Sequence, residues 1–147
     1  MTDTAKIILI ADAVVADLNA ATFVPDFTAT REYVPAAELP DLETLRVCVV
    51  PKGLAAEPAS RTTAATTYQV DIGVQKKLPT DAAAVKVEAD AMMLLVQQIV
   101  AFLNRSRPTA AGASWIGTEN DPIFSPEHFE ELRQFTSVIT VSYHANG

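Results

Sequence analysis

The chain has 147 residues, of which 49% are hydrophobic and 20% are charged. These values are typical of one folded domain with one core, here residues 1–147, and they exclude wholesale disorder, which requires low hydrophobicity and high net charge. The formal net charge of -7 repels phosphate backbones at long range, so we do not expect the whole surface to bind nucleic acids.

The predicted elements begin with a helix over Thr4 to Asn19, where apolar residues recur at steps of three and four. Residues Phe27 to Val34 alternate between two faces and predict a first strand, which Pro35 ends because proline cannot donate to a ladder. Residues Leu45 to Pro51 are apolar on both faces and predict a central strand. Its single cysteine, Cys48, is therefore expected to be a buried side chain rather than a reactive thiol.

Residues Lys52 to Thr62 carry little periodic pattern and predict a loop or extended arm between strands. Residues Thr63 to Leu78 follow as the longest strand, because Tyr68 to Gln75 alternate strictly between apolar and polar or small. Two strands joined in this way predict a long hairpin that projects beyond the domain.

The best supported element is a second helix over Ala82 to Arg105, which has too many charged and amide residues for a membrane span. Short elements follow, namely a strand over Ser114 to Gly117 and one helical turn over His128 to Leu132, before a last strand over Gln134 to His144. The order α-β-β-β-α-β-β predicts an α+β fold, in which two main helices pack on a mixed, mostly antiparallel sheet with a long β-hairpin arm.

The second predicted helix contains the apolar run Met92 to Leu95, which covers more than half of the helix circumference. We expect this run to pack against the first helix, with contact to another subunit as the alternative. The N-terminus lacks a basic segment followed by a long apolar stretch, so we expect no signal peptide and synthesis in the cytoplasm.

The sequence offers little reactive chemistry. His128 lies in a carboxylate-rich turn that could hold a cation, but a solvated turn explains it better. Glu32 and Asp71 could form a carboxylate pair, although solvent-facing sheet positions account for both. Neither a Gly-x-Ser-x-Gly elbow nor a Gly-rich phosphate loop is present. We therefore assign no catalytic, cofactor-binding or metal-ligating residue, and we do not expect an enzyme.

The arrangement resembles the tail-terminator, or tail-completion, proteins of long-tailed bacteriophages. Members have an N-terminal helix, two or three strands with a long hairpin, one long helix and a closing pair of strands. The acidic segment Val34 to Thr44 has no counterpart in that pattern. The matching stretches are Ile7 to Leu18, Arg46 to Val50, Tyr68 to Gln75, Met92 to Asn104 and Phe135 to Tyr143.

The resemblance implies a structural virion protein in the neck region of the tail, without cofactors and without a membrane. It implies a homohexameric ring that caps the tail tube, ends tube polymerisation and joins the tail to a head-side connector protein. DNA would pass through the lumen without sequence-specific binding, and the charge of the chain favours an acidic lumen. The residues we propose for contacts with a neighbouring subunit or the tube are Lys52, Gly53, Leu54, Glu57, Arg61, Lys76 and Lys77.

Three alternatives remain open at this point. One is a head-tail connector or minor capsid component of the same virion. Another, from a different class, is a small-ligand-binding or enzymatic α+β domain with a pocket between the sheet and the long helix, which depends on Glu32 and Asp71. The last is an oligomeric α+β binding module of a host.

Overall fold

The computed structural model describes residues 4–33, 45–58, 64–104, 112–131 and 133–146. In these ranges the chain forms helices that lie on one five-stranded sheet. The elements in chain order are α1 (Lys6–Ala20), β1 (Ala29–Arg31), β2 (Arg46–Pro58), β3 (Ala64–Lys77), α2 (Ala82–Leu103), β4 (Ser114–Glu119), α3 (Pro126–Glu131) and β5 (Gln134–Asn146).

The strand order across the sheet is β1-β2-β3-β5-β4. β1 pairs with β2 in parallel, and the three other pairs are antiparallel. The predicted α+β class with a mixed, mostly antiparallel sheet is thereby confirmed. The observed order differs from the predicted one only by the short helix α3, which lies between β4 and β5 where one helical turn was expected.

The two main helices bury apolar stripes against different parts of the sheet. Helix α1 contacts β1, β2 and β3, and helix α2 contacts β5 and β4. Asp81 caps α2, because its carboxylate accepts a hydrogen bond from the backbone N–H of Ala84 at 3.0 Å. Within the apolar run of α2, Met92 and Leu95 are buried, whereas Leu94 is 53% exposed. Only part of this run therefore belongs to the core.

The long hairpin is confirmed, but its boundaries differ from those predicted. β2 and β3 pair from Arg46 opposite Gln75 to Pro58 opposite Ala64. Residues 52–58, predicted as part of a loop or extended arm, are thus strand. These residues have no buried face, so no alternation of apolar and polar side chains marks them in the sequence. Their conformation comes from backbone pairing with β3.

The hairpin does not stand free of the sheet. β5 pairs with β3 from Gln134 opposite Lys77 to Asn146 opposite Ala65. Three strands therefore run together along nearly the whole length of β3. Cys48 lies in the middle of this sheet with an exposed fraction of 0%, as its apolar run predicted.

The first strand is shorter than predicted. Only Ala29–Arg31 pair with β2, and Val34 lies outside the described residues. The preceding segment is held instead by the end of α1, because the Asn19 side chain bonds the backbone N–H and C=O of Ala29 at 2.7 and 3.0 Å. Phe27 stacks on Phe23 at 5.1 Å between ring centroids, which directs it into the helix layer.

Candidate assembly site

The end of β2 is the most exposed strand segment in the described part of the sheet. We call residues 53–58 the arm edge. Val47 and Val49, earlier in the same strand, are 1% and 0% exposed, whereas Leu54 is 60% exposed and the next four residues are also exposed. A leucine that a strand presents to solvent offers apolar surface for contact with another chain.

A bulge separates the buried half of β2 from the arm edge. The register with β3 shifts between Pro51 and Gly53, which leaves Lys52 as the extra residue. The Lys52 ammonium lies 3.9 Å from a carboxylate oxygen of Asp71, and 48% of its side chain is exposed. At that distance from Asp71 and with that exposure, Lys52 can also reach a negative charge on a partner.

The outer backbone groups of the arm edge have no strand partner among the described residues. β1 pairs with β2 only at Val47 to Val49, and Glu32 adds one hydrogen bond from its N–H to the Val49 carbonyl at 2.9 Å. The Val49 carbonyl therefore points to the outer side of β2, away from β3. Successive residues of a strand point their backbone groups to opposite sides, so every second residue from Val49 also points outward. Carried past the bulge, this alternation turns Leu54 and Ala56 outward.

Two prolines flank this short open stretch. By the same alternation, Pro51 and Pro58 point the nitrogen that lacks a hydrogen toward the outer edge. Proline at these positions costs no hydrogen bond to β3. It also limits any added strand to the residues between them, a device that keeps sheet edges from pairing indiscriminately.

The other predicted contact residues divide into two groups. Gly53 lies opposite Gln69, and Glu57 is exposed opposite Ala65, so both belong to the arm edge with Leu54. Arg61 lies outside the described residues.

Lys76 and Lys77 are not part of the arm edge. They lie at the far end of β3. Thr67, the β3 residue opposite Ala55 of the arm edge, is about 30 Å away from them at the usual rise of 3.3 Å per residue. Lys76 forms an ion pair with Glu88 of α2, which ties the helix to the sheet, and Lys77 is exposed opposite Gln134. The structure therefore does not bring the predicted contact residues into one surface.

The opposite edge of the sheet carries an exposed strand that sequence analysis did not assign to assembly. β4 is the terminal strand there, and Ile116 on it is 51% exposed. A second register shift lies between Trp115 and Gly117, and the Trp115 indole N–H donates to the Thr118 hydroxyl at 2.7 Å. In the sequence, the one sign of a contact surface at this edge was an isoleucine, Ile116, in a short predicted strand.

The two sheet edges differ in charge. The arm side carries one cation, Lys52, and one carboxylate, Glu57, whereas acidic residues dominate the β4 side. The acidic residues from β4 through α3 are Glu119, Asp121, Glu127, Glu130 and Glu131, and Arg133 is the one Lys or Arg among the described residues 112–131 and 133–146. A negative edge of this kind favours a partner that brings a cation.

Glu32 and Asp71 each have their own partners. Glu32 accepts from Arg46 at 3.2 Å, and Asp71 accepts from the Thr140 hydroxyl at 2.6 Å. No group of three or more His, Cys, Asp or Glu with metal-binding geometry occurs among the described residues. His128 contacts the Thr136 hydroxyl through Nδ1 at 3.0 Å.

Two open cavities lie at the α3 end of the sheet. One of about 280 Å³ lies between α2 and α3. The other, of about 530 Å³, has carboxylates and hydroxyls among its lining residues. Neither includes Glu32 or Asp71 among its described lining residues. Those of the larger cavity are Asp121, Pro122, Ser125, Pro126, Glu127, Thr136 and Val138.

Two residues of the sheet, Arg31 and Tyr143, have pKa values raised above their ordinary values. A hydrogen bond with Tyr33 raises the pKa of Arg31 against the opposing effect of desolvation, and Asp12 at 2.6 Å adds to the rise. This ion pair ties β1 to α1. Burial, with a contribution from the charge of Asp17, raises the pKa of Tyr143. Both groups support the fold rather than the arm edge.

Comparison with known proteins adds no relative. No protein-family model matches the chain, and no curated protein matches it. None of the helices in the described ranges is both long and apolar enough to cross a membrane.

Proposed function

We propose that this chain is a structural virion protein that forms a closed homo-oligomeric ring, a hexamer by its resemblance to tail-terminator proteins. The ring caps the tail tube of a long-tailed phage, stops tube polymerisation and joins the tail to the head-side connector. As a structural part it needs no catalytic group and no cofactor. DNA passes through its lumen without sequence-specific contacts.

The arm edge is the observation that carries this proposal. A closed ring needs two different surfaces on each subunit, one that meets the preceding copy and one that meets the next. The sheet offers two such surfaces, the arm edge with the exposed Leu54 and the β4 edge with the exposed Ile116. The acidic residues on the β4 side disfavour contact between two copies of that edge.

A terminator also needs a surface for the tube. Helix α2 exposes Val87 and Leu94, 71% and 53% exposed, which lie seven residues apart and therefore on one side of the helix. Lys77 at the end of β3 is a second exposed position away from both sheet edges. These residues are available for a partner after both edges have been used in a ring.

The test is the length of tail tubes assembled from the tube protein of the same virion, measured by electron microscopy. Added at a subunit ratio well below that of the tube protein, the chain is expected to shorten the tubes and to appear as a ring at one end. Unchanged tube lengths without end rings would contradict the proposal. A ring that binds only the connector would favour the head-tail connector role instead.

A further inference from the structure

Along the direction of its strands, the sheet has one part whose two edges are covered and one part whose two edges are open to an added strand. In the covered part, β1 pairs with β2 along Val47 to Val49. On the opposite edge of the same part, the segment after β4 covers β5. The Ser125 N–H donates to the Thr136 carbonyl, and the Asn120 side-chain amide donates to the Val138 carbonyl, each at 2.8 Å. The chain itself occupies both edges there.

The two open edges lie at the same height of the sheet. The ladder that contains Ala55 runs through Thr67 and His144 to Ser114, so the arm edge and β4 share a row. A second row runs from Val50 through Asp71 and Thr140 to Glu119. In the described part of the chain, no strand covers the outer side of β4 or of β2 beyond Val49.

We propose that the arm edge of one copy pairs as an antiparallel strand with the outer edge of β4 of the next copy. This inference rests on the proposed ring and names the contact that closes it. β2 and β5 run in one direction, and β3 and β4 in the other. Continuing the sheet from β4 to β2 of the next copy therefore repeats the antiparallel pairing of the sheet itself.

The equal height of the edges distinguishes a ring from a filament. A contact between two different edges closes into a ring only when each step rotates the subunit without shifting it along the axis. When the strands run along the ring axis, as this contact requires, edges at different heights would add an axial shift at each step and produce an open helix; tilted strands would need a staggered register instead. The shared row of Ala55 and Ser114 removes this shift along the strand direction.

With no shift along the strand direction, the row assignment sets the register of the proposed contact. Ala55 faces Ser114 of the next copy, and both point their own backbone groups inward, so they form the closer, non-hydrogen-bonded kind of pair. Leu54 and Trp115, which point backbone groups outward, then form a hydrogen-bonded pair. Pro51 and Pro58 end the window on either side.

Side chains at this register are complementary. The Leu54 side chain lies on the same face of the sheet as the other members of its row, Tyr68, Tyr143 and Trp115. In the ring it therefore covers the partly buried Trp115 indole of the next copy. Glu119 lies in the row of Val50, and Lys52 is the bulge residue two positions beyond Val50 on the same face as Asp71. The two charges are therefore diagonal neighbours across the contact, within reach of a long side chain. Burial of one leucine together with one new ion pair favours this pairing over contact between two like edges.

Disulfide trapping tests the register. Ala55→Cys and Ser114→Cys in one chain are expected to form covalent rings on mild oxidation, because directly opposed strand residues bring their Cβ atoms to the spacing of a disulfide. Each single variant is expected to give no covalent species, since the native Cys48 is buried. The matched control pairs Ser114→Cys with Val87→Cys, an equally accessible position on α2.

Native mass of the same samples separates the two claims. A ring that traps efficiently through the opposed pair, and not through the control pair, supports the inference. A ring of native mass that never traps through Ala55→Cys and Ser114→Cys overturns this contact and leaves the proposed function standing. A monomer at all concentrations overturns the proposed function and the contact with it.

Discussion

Replacement of Leu54 by threonine tests the role of the arm edge in assembly. Full burial of a leucine stabilises by about 1.5–3 kcal/mol. Because Leu54 is 60% exposed in the single chain, burial in an interface recovers about 1–2 kcal/mol of this. Threonine is β-branched and favours strands, but it removes most of the apolar surface of the leucine. We therefore expect the dissociation constant of each interface to rise by a factor of about 5–30.

The assay is sedimentation velocity over a dilution series, with thermal unfolding of the same samples. Leu54→Thr is expected to shift ring dissociation to higher concentration while the free energy of unfolding of the monomer changes by less than about 0.5 kcal/mol. Val87→Thr, at an exposed position on α2, is the matched control and is expected to assemble normally. Unchanged assembly of Leu54→Thr, or equal loss in both variants, would contradict a role of Leu54 in the interface.

Three further predictions concern the stability of the fold. An alanine Cβ at Gly73 would lie 3.0 Å from the Cys48 sulfur, so Gly73→Ala is expected to lower the free energy of unfolding by about 1–3 kcal/mol. Urea denaturation should show this loss, and Gly73→Ala should cost much less when it is measured against Cys48→Ala than against the native chain; an equal cost in both backgrounds would contradict steric conflict as the cause. Gln75 is 1% exposed, and neither of its amide atoms has a hydrogen-bond partner in the described structure, so Gln75→Met is expected to raise the free energy of unfolding by about 1–2 kcal/mol. A lower midpoint in urea would instead indicate that the amide is needed. Because the pKa of Tyr143 is raised, its contribution is complete below the unfolded pKa near 10 and falls by about 1.4 kcal/mol per pH unit above it. Denaturation at pH 8 to 11 should show a shallower loss for Tyr143→Phe, and parallel curves would argue against this group.

The elements with strong periodicity could be predicted from the sequence. Helix α2 was predicted to begin at Ala82, as it does, and to end two residues beyond Leu103. β3 was predicted within one residue at each end, because Val70, Ile72 and Val74 alternate with small or polar residues. In these segments one face is buried over most of the element, from Ala89 to Leu103 in α2 and from Thr66 to Val74 in β3, so apolar residues recur with the period of the helix or strand.

Elements defined by backbone pairing could not be predicted in the same way. Residues 52–58 form a strand without a buried face, and the parallel pairing of β1 depends on contacts far apart in the chain. The two β-bulges that shift register at Lys52 and Ile116 leave no periodic signal either. Sequence patterns report side-chain burial, whereas these features come from backbone hydrogen bonds.

The candidate site was predicted in part. Lys52, Gly53, Leu54 and Glu57 do lie together on an exposed edge. Lys76 and Lys77 were grouped with them on charge alone, and only the length of β3 shows how far away they lie. The matching height of β4 follows from the registers of three strand pairs, which no local pattern in the sequence encodes.

Native mass spectrometry of the purified chain tests the central claim, self-assembly into a closed ring, most directly. We expect one oligomer with a fixed number of 15.8 kDa copies, six by the family resemblance, whose mass stays constant as concentration rises. A species that remains a monomer, or a series of masses that lengthens without limit, would contradict it.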